Sequence, residues 1–250
     1  MMIFTIAWRE LRNLFLSPLA WCVLAVIQFI AAWRFLVGVD LFLKTSPSFA
    51  GIANAPGVTE SIATPTYGFV AIFMLLAVPL MSMDLIASER RDGTIDLLLS
   101  APISMTEIVV GKYLGLLLFL FIMLGFMTLM PLSLAVGTHL DYGRLFAGVL
   151  GLALLLGAFA AAGLFISTLT KKPVVAAISS FGFLLFLLVI NWAGQGSEEF
   201  SPVFYYLSLN HYNSLLTGSF NSTDVLYYIL FITTFLVLSV RRLDAYRLQH

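Results

Sequence analysis

Ile108-Val-Val-Gly-Lys-Tyr-Leu-Gly-Leu-Leu-Leu-Phe-Leu-Phe-Ile-Met-Leu-Gly-Phe-Met-Thr-Leu-Met-Pro-Leu-Ser-Leu-Ala-Val136 contains a single charged residue, Lys112, close to its start. Roughly 20 apolar residues in a helix cross the hydrocarbon core of a bilayer, and this run is longer than that. It lacks the alternation of apolar and polar residues that marks a membrane β-strand. In lipid the backbone must satisfy its own N–H and C=O groups, so the run reads as a membrane-spanning helix.

Five further runs have the same character: Leu19 to Val37, Tyr67 to Ala87, Leu145 to Leu169, Val174 to Ala193 and Val225 to Val240. The expected fold is an all-α polytopic membrane protein with six transmembrane helices, forming one domain over residues 1–250. Composition agrees. Hydrophobic residues make up 60% and charged residues 10%, with mean hydropathy +1.00. Soluble domains carry about 25% charged and roughly 45–50% apolar residues. A soluble enzyme and a free nucleic-acid binder are both excluded on this ground, and a net charge of zero offers no footprint for DNA. The one cysteine, Cys22, permits neither an intrachain disulfide nor a CxxC metal site. The first span does not read as a cleaved signal peptide, because it follows an amphipathic segment and lacks a small-residue cleavage site.

Orientation follows from the basic residues. With the N-terminus inside, the inner segments hold Arg9, Arg12, Arg90, Arg91, Lys112, Lys171, Lys172, Arg241, Arg242 and Arg247. Only Arg34, Lys44 and Arg144 fall outside. Both termini are therefore expected on the cytoplasmic side.

Residues 3–16 form an amphipathic helix before the first span. Ile3, Phe4, Ala7, Trp8, Leu11, Leu14 and Phe15 recur at helical spacing, with Arg9, Arg12 and Asn13 opposite. Such a helix lies in the membrane interface, with Trp8 at headgroup depth and the arginines near phosphates. Gly38 to Thr66, rich in Pro, Gly, Ser, Thr and Ala, reads as an irregular outer loop with room for a short helix. The outer segment from Gly194 to Thr223 is aromatic. Ser201-Pro202 suits the start of one short helix, and Asn210 can cap a second ending near Gly218. Asn221, Ser222 or Thr223 then caps the last span.

The inner loop from Ser88 to Ser104 is the densest in charge. Glu89, Arg90, Arg91 and Asp92 follow the second span directly, and Gly93 permits a sharp bend. Ile95 to Ser100 is a short apolar helical stretch ended by Pro102. Ser104 and Glu107 then form an S-x-x-E capping box that opens the third span. The exposed Ile95, Leu97, Leu98 and Leu99 need a partner, either lipid or another protein. Small residues in the third and fourth spans (Gly111, Gly115, Gly157, Ala158, Ala160, Ala161, Ala162, Gly163) allow close helix approach. Contacts within the chain are the more economical use for them.

Signs of chemistry are few. There is no GxxxxGK[ST] loop, since Gly111-Lys112 lacks the upstream Gly and is followed by Tyr113, so the chain is not expected to hydrolyse ATP. No HExxH or G-x-S-x-G is present. His139 and Asp141 share an outer loop, with His211 and His250 elsewhere, which makes a poor metal site. Ionisable residues deep in the spans, the mark of an ion path, are nearly absent. Arg34 and Lys112 lie near span ends, where they can snorkel. Asp84, one turn inside the second span, has Arg90, Arg91 and the N-terminal helix as candidate partners.

Taken together, these segments resemble the permease subunits of ABC-2 type transporters. The pattern of an acidic-basic cluster, Gly-Thr, a leucine run, Pro and a later Gly-Lys matches Glu89, Arg90, Gly93, Thr94, Leu97, Leu98, Pro102, Gly111 and Lys112. Gly163-Leu-Phe-Ile-Ser-Thr-Leu-Thr170, and Ser208-Leu-Asn-His211 through Gly218 to Asp224, add to the likeness. Within the family the chain looks most like the GldF, gliding-motility-type branch. The resemblance implies a dimer of permeases, either two copies or a pair of homologues, served by separate ABC ATPase subunits that hold ATP and Mg. No cofactor, metal or catalytic residue is then expected on this chain. A coupling helix would lie in the loop between spans two and three. By position the ATPase-facing residues are Glu89, Arg90, Arg91, Asp92, Gly93, Thr94, Ile95, Leu97, Leu98 and Pro102. Trp8, Arg9 and Arg12 would belong to the connecting helix. The short outer helices would be re-entrant. The expected function is an exporter of the bacterial inner membrane, with lipid around it, room for an auxiliary outer subunit, and no nucleic acid. Two other readings stay open: a non-transporting scaffold of an ATPase-driven motility, division or export machine, and a membrane-embedded lipid-modifying enzyme using His139, Asp141 and His211.

Overall fold

The computed structural model describes residues 2–46, 57–94, 103–194, 211–218 and 221–247. Among them there is no strand. The helices are α1 (Met2–Leu16), α2 (Pro18–Thr45), α3 (Thr64–Ser82), α4 (Ala87–Asp92), α5 (Met105–Ser133), α6 (Tyr142–Leu169), α7 (Pro173–Gly194), α8 (His211–Leu216) and α9 (Ser222–Arg247). A π-helical turn, Thr59–Ala63, runs into α3, and a 3₁₀ turn, Leu134–Val136, closes α5. Five helical stretches are long and apolar enough to cross a membrane: α2, Thr59–Asp92, Met105–Val136, α6 and α9. α7 is apolar as well. Its stretch Pro173–Val189 is shorter than the other five.

The expected helix punctuation is present. Ser104 accepts from the Glu107 amide at 3.2 Å while the Glu107 carboxylate accepts from the Ser104 amide at 3.1 Å, a complete capping box. Gly93 ends α4 with φ 71°, and Gly218 follows α8 with φ 84°, both left-handed and accessible to glycine at little penalty. Pro18 sits in the first turn of α2, where its missing N–H is not needed.

Two expectations about the outer side need correction. α2 does not stop at Val37 but continues to Thr45, because Asp40 and Lys44 pair at 2.6 Å one turn apart and the added turns stay apolar. Gly38 lies inside the helix rather than opening a loop. A side chain there would stand 3.3 Å from Ile62, so its bareness lets the turn before α3 pack on α2. Residues from Thr59 onward are likewise helical. Residues 47–56 lie outside those described.

α6 is the hub. It packs against α3, α5, α7, α8 and α9, and its whole small-residue stretch from Gly157 to Gly163 is buried. A β-carbon on Gly157 would meet the Tyr113 hydroxyl at 3.1 Å and Ile232 at 3.2 Å. One on Gly163 would overlap Ser82. Small residues thus bring α5, α9 and α3 onto a single helix, in keeping with membrane packing where backbones approach closely. α2, α7 and α9 ring this core. Their outer faces present Phe29, Trp33, Ile178, Phe186, Leu230 and Val237, apolar groups suited to lipid.

Candidate functional site

α1 does more than rest on the membrane. Its side bearing Ile6, Ala7, Glu10 and Leu11 is buried against α5, whereas Phe4 and Trp8 are 78% and 69% exposed. The glycines of α5 make this possible. A β-carbon on Gly111 would stand 2.7 Å from the Ile6 side chain, and one on Gly115 would stand 2.6 Å from Glu10 and 2.8 Å from the Ala7 carbonyl oxygen. The Gly-x-x-x-Gly of α5 is therefore an intrachain seat for α1. Phe15 closes the contact further along, with its ring 5.2 Å from that of Phe119.

On this seat lies a buried ion cluster. Lys112 is only 2% exposed, and its ammonium contacts Glu10 Oε2 at 3.1 Å and Glu89 Oε1 at 2.9 Å. Arg9 approaches the same Glu89 oxygen at 3.6 Å from the exposed side of α1. Lys112 does not snorkel: α1 covers it, and two carboxylates replace water around the ammonium. A buried charge is tolerated only when paired in this way. Three elements distant in sequence, α1, α4 and α5, are thus joined at one cation.

Arg90 points the other way from α4. Its guanidinium donates to the Thr168 carbonyl of α6 and lies 4.7 Å over the Tyr246 ring of α9. Ser167 supports the start of α4 by accepting from the amides of Ile86 and Ala87 at 3.1 and 3.0 Å and donating to the Met83 carbonyl at 2.9 Å. Those amides begin a helix and have no partner within it, so Ser167 supplies what a side-chain cap would. α4 is therefore tied to α1 and α5 on one side and to α6 and α9 on the other.

Of the residues singled out in the sequence, the structure brings together Arg9, Glu89 and Lys112, while Arg90 on the same short helix as Glu89 faces α6 and α9. Arg91 and Asp92 pair with each other at 2.9 Å on the exposed side of α4, and Gly93 and Thr94 complete its turn. Trp8 and Arg12 face outward on α1. Ile95, Leu97, Leu98 and Pro102 lie outside the described residues. Asp84 forms no salt bridge with Arg90, Arg91 or the N-terminal helix; Arg90 is held by Thr168 and Tyr246, Arg91 by Asp92 and Arg9 by Glu89. At the start of α6, Asp141 caps the helix through the Arg144 amide at 3.1 Å, and its own amide donates to Thr59 Oγ1 at 3.0 Å. His139 is exposed. No group of three metal-ligating side chains occurs among the described residues.

Glu10, Ser167, Thr168 and Tyr246 escaped the reading of the sequence as functional residues. For Glu10 a signal existed. It falls on the same helical stripe as Ala7, Leu11 and Leu14, and a carboxylate on an apolar stripe calls for a buried cation.

A family model described as ABC-2 family transporter protein matches residues 4–245. The chain belongs to this family. No curated protein matches it. It is accordingly a transmembrane permease of an ABC transporter, and its long apolar helices fit that role. ABC-2 permeases form the membrane component of their transporters and in general work with an ABC ATPase. The ion cluster and α4 are thus features of a permease.

Proposed function

We propose that this permease takes its energy from a separate ATPase subunit docking at α4 and the segment that follows, and that it exports its substrate. In this reading the bundle has six spans, with α7 as the fifth, and both termini are cytoplasmic. ATP and Mg reside on the ATPase, and a second permease completes the channel in a bacterial inner membrane. The likeness to the gliding-motility branch belongs to the same proposal.

The observation that carries it is the double attachment of α4. A six-residue helix that both grips Lys112 through Glu89 and grips α6 and α9 through Arg90 is well placed as a lever. A small displacement imposed on it reaches two helix groups at once. Packed interfaces respond to such shifts by switching between arrangements rather than deforming smoothly. The apolar Ile95, Leu97 and Leu98, next to the exposed Arg91 and Asp92, offer the composition of a docking surface.

The test is co-purification with the ATPase, followed by ATPase assays in liposomes. Leu97→Pro combined with Arg91→Glu should leave the melting temperature of the permease unchanged and abolish its effect on ATP hydrolysis. Full coupling in the double variant would overturn the docking assignment.

A further inference from the structure

Between α1, the start of α2 and the end of α3 lies a cavity of about 180 Å³, lined by Glu10, Asn13, Ser17 and Asp84 among apolar neighbours that include Leu80. A second, almost wholly apolar space of about 230 Å³ also touches Leu80 and runs between α2 and α3 past Cys22, Val26, Ile30 and Phe73. Leu80 lines both, so the two spaces are neighbours along the same face of α3. From Cys22 to Ile30 the groove follows roughly 12 Å of helix at about 1.5 Å per residue, leading away from the start of the apolar helix α2. The polar end has carboxylates, an amide and a hydroxyl. The other end has only hydrocarbon.

We infer that this is a binding site for one phospholipid bearing a primary ammonium headgroup. The acyl chain lies in the groove, where it covers apolar surface that faces the bilayer in any case. The ammonium is accepted by Asp84, and the phosphate oxygens accept from Asn13 and Ser17. Charge selects this occupant over other membrane lipids. Asp84 makes no salt bridge, since Arg91 is held by Asp92 and Lys112 by Glu10 and Glu89, and the Arg91 charge reaches it only from beyond contact distance. A carboxylate at the mouth repels an anionic headgroup. A trimethylated ammonium is bulkier and has no N–H to donate, so it forfeits the hydrogen-bonded contact. The inference depends on the chain being embedded in a membrane but not on which face is cytoplasmic, nor on the ATPase.

The chain's single cysteine makes the groove accessible to experiment, because Cys22 lines it and is exposed. A bimane on Cys22 in proteoliposomes should be quenched about threefold more strongly by brominated ethanolamine phospholipid than by brominated choline or glycerol phospholipid at equal mole fraction, the scale of one half-exposed charged contact. Asp84→Asn, a near-isosteric change at an exposed position, should bring the ratio to one. Val26→Trp, which fills the groove from its exposed wall, should also remove the preference and lower quenching by all three lipids. Equal quenching in the unsubstituted protein, or a preference that persists in Asp84→Asn, would overturn the headgroup assignment. A preference that persists in Val26→Trp would overturn the placement of the acyl chain.

Discussion

Lys112 and Arg144 make an instructive pair. Each is a cation near the start of a long apolar helix, and each reaches a carboxylate on a different element: Lys112 reaches Glu10 and Glu89, and Arg144 reaches Glu60. Yet Lys112 is 2% exposed with partners 11% and 19% exposed, whereas Arg144 and Glu60 are 28% and 51% exposed. At Arg144 water and salt share the charges, so the pair is worth little. At Lys112 α1 has replaced water, so each charge depends on the others. The same residue chemistry is a surface ornament at one end and a structural joint at the other, and the difference is the helix laid over it.

The comparison is most severely tested at Lys112. Lys112→Ala leaves two carboxylates buried without their cation, and removing one member of a buried pair costs about 3–5 kcal/mol. A large fall in melting temperature in detergent is expected. Lys112→Met combined with Glu10→Gln and Glu89→Gln should recover much of that loss, since no uncompensated charge remains. Gly115→Leu should come next. Its side chain would run into Glu10 and the Ala7 carbonyl, an overpacking worth about 1–3 kcal/mol. Release of α1 should appear as faster proteolysis near Ser17. Arg90→Ala removes the bond to Thr168 and the contact with Tyr246, for a loss of about 1–2 kcal/mol. Its sharper readout is ATPase coupling, expected to fall further than stability does. Arg144→Gln should matter least. A shift of less than about 1 kcal/mol is expected. High salt should weaken the Arg144–Glu60 pair in the unsubstituted protein while leaving the Lys112 cluster intact. Equal salt sensitivity at the two ends would break the distinction between them.

Much of this architecture could be read from local sequence. The spans follow from runs of apolar residues, because a backbone in lipid can only close its hydrogen bonds on itself. Ser104 with Glu107, and Gly93 after Asp92, announce helix ends within a few residues of chain. The extension of α2 to Thr45 was harder to see, since a turn-rich composition around it masked one short-range ion pair. The site was half legible. Glu89 and Arg90 stand out as a charge cluster, but what each of them grips is not local.

Sequence alone therefore determined that this is a helical membrane protein and where its densest charge cluster, Glu89 to Asp92, lies along the chain. These depend on composition and on interactions spanning a few residues. Only the tertiary structure decided that Lys112 is buried rather than snorkelling, that Glu10 is its partner 102 positions away, and that Gly111 and Gly115 serve α1. It also decided that α4 is fastened to α6 and α9. The reason is physical: the environment of a charge is set by whatever covers it, and here the cover comes from the far end of the chain.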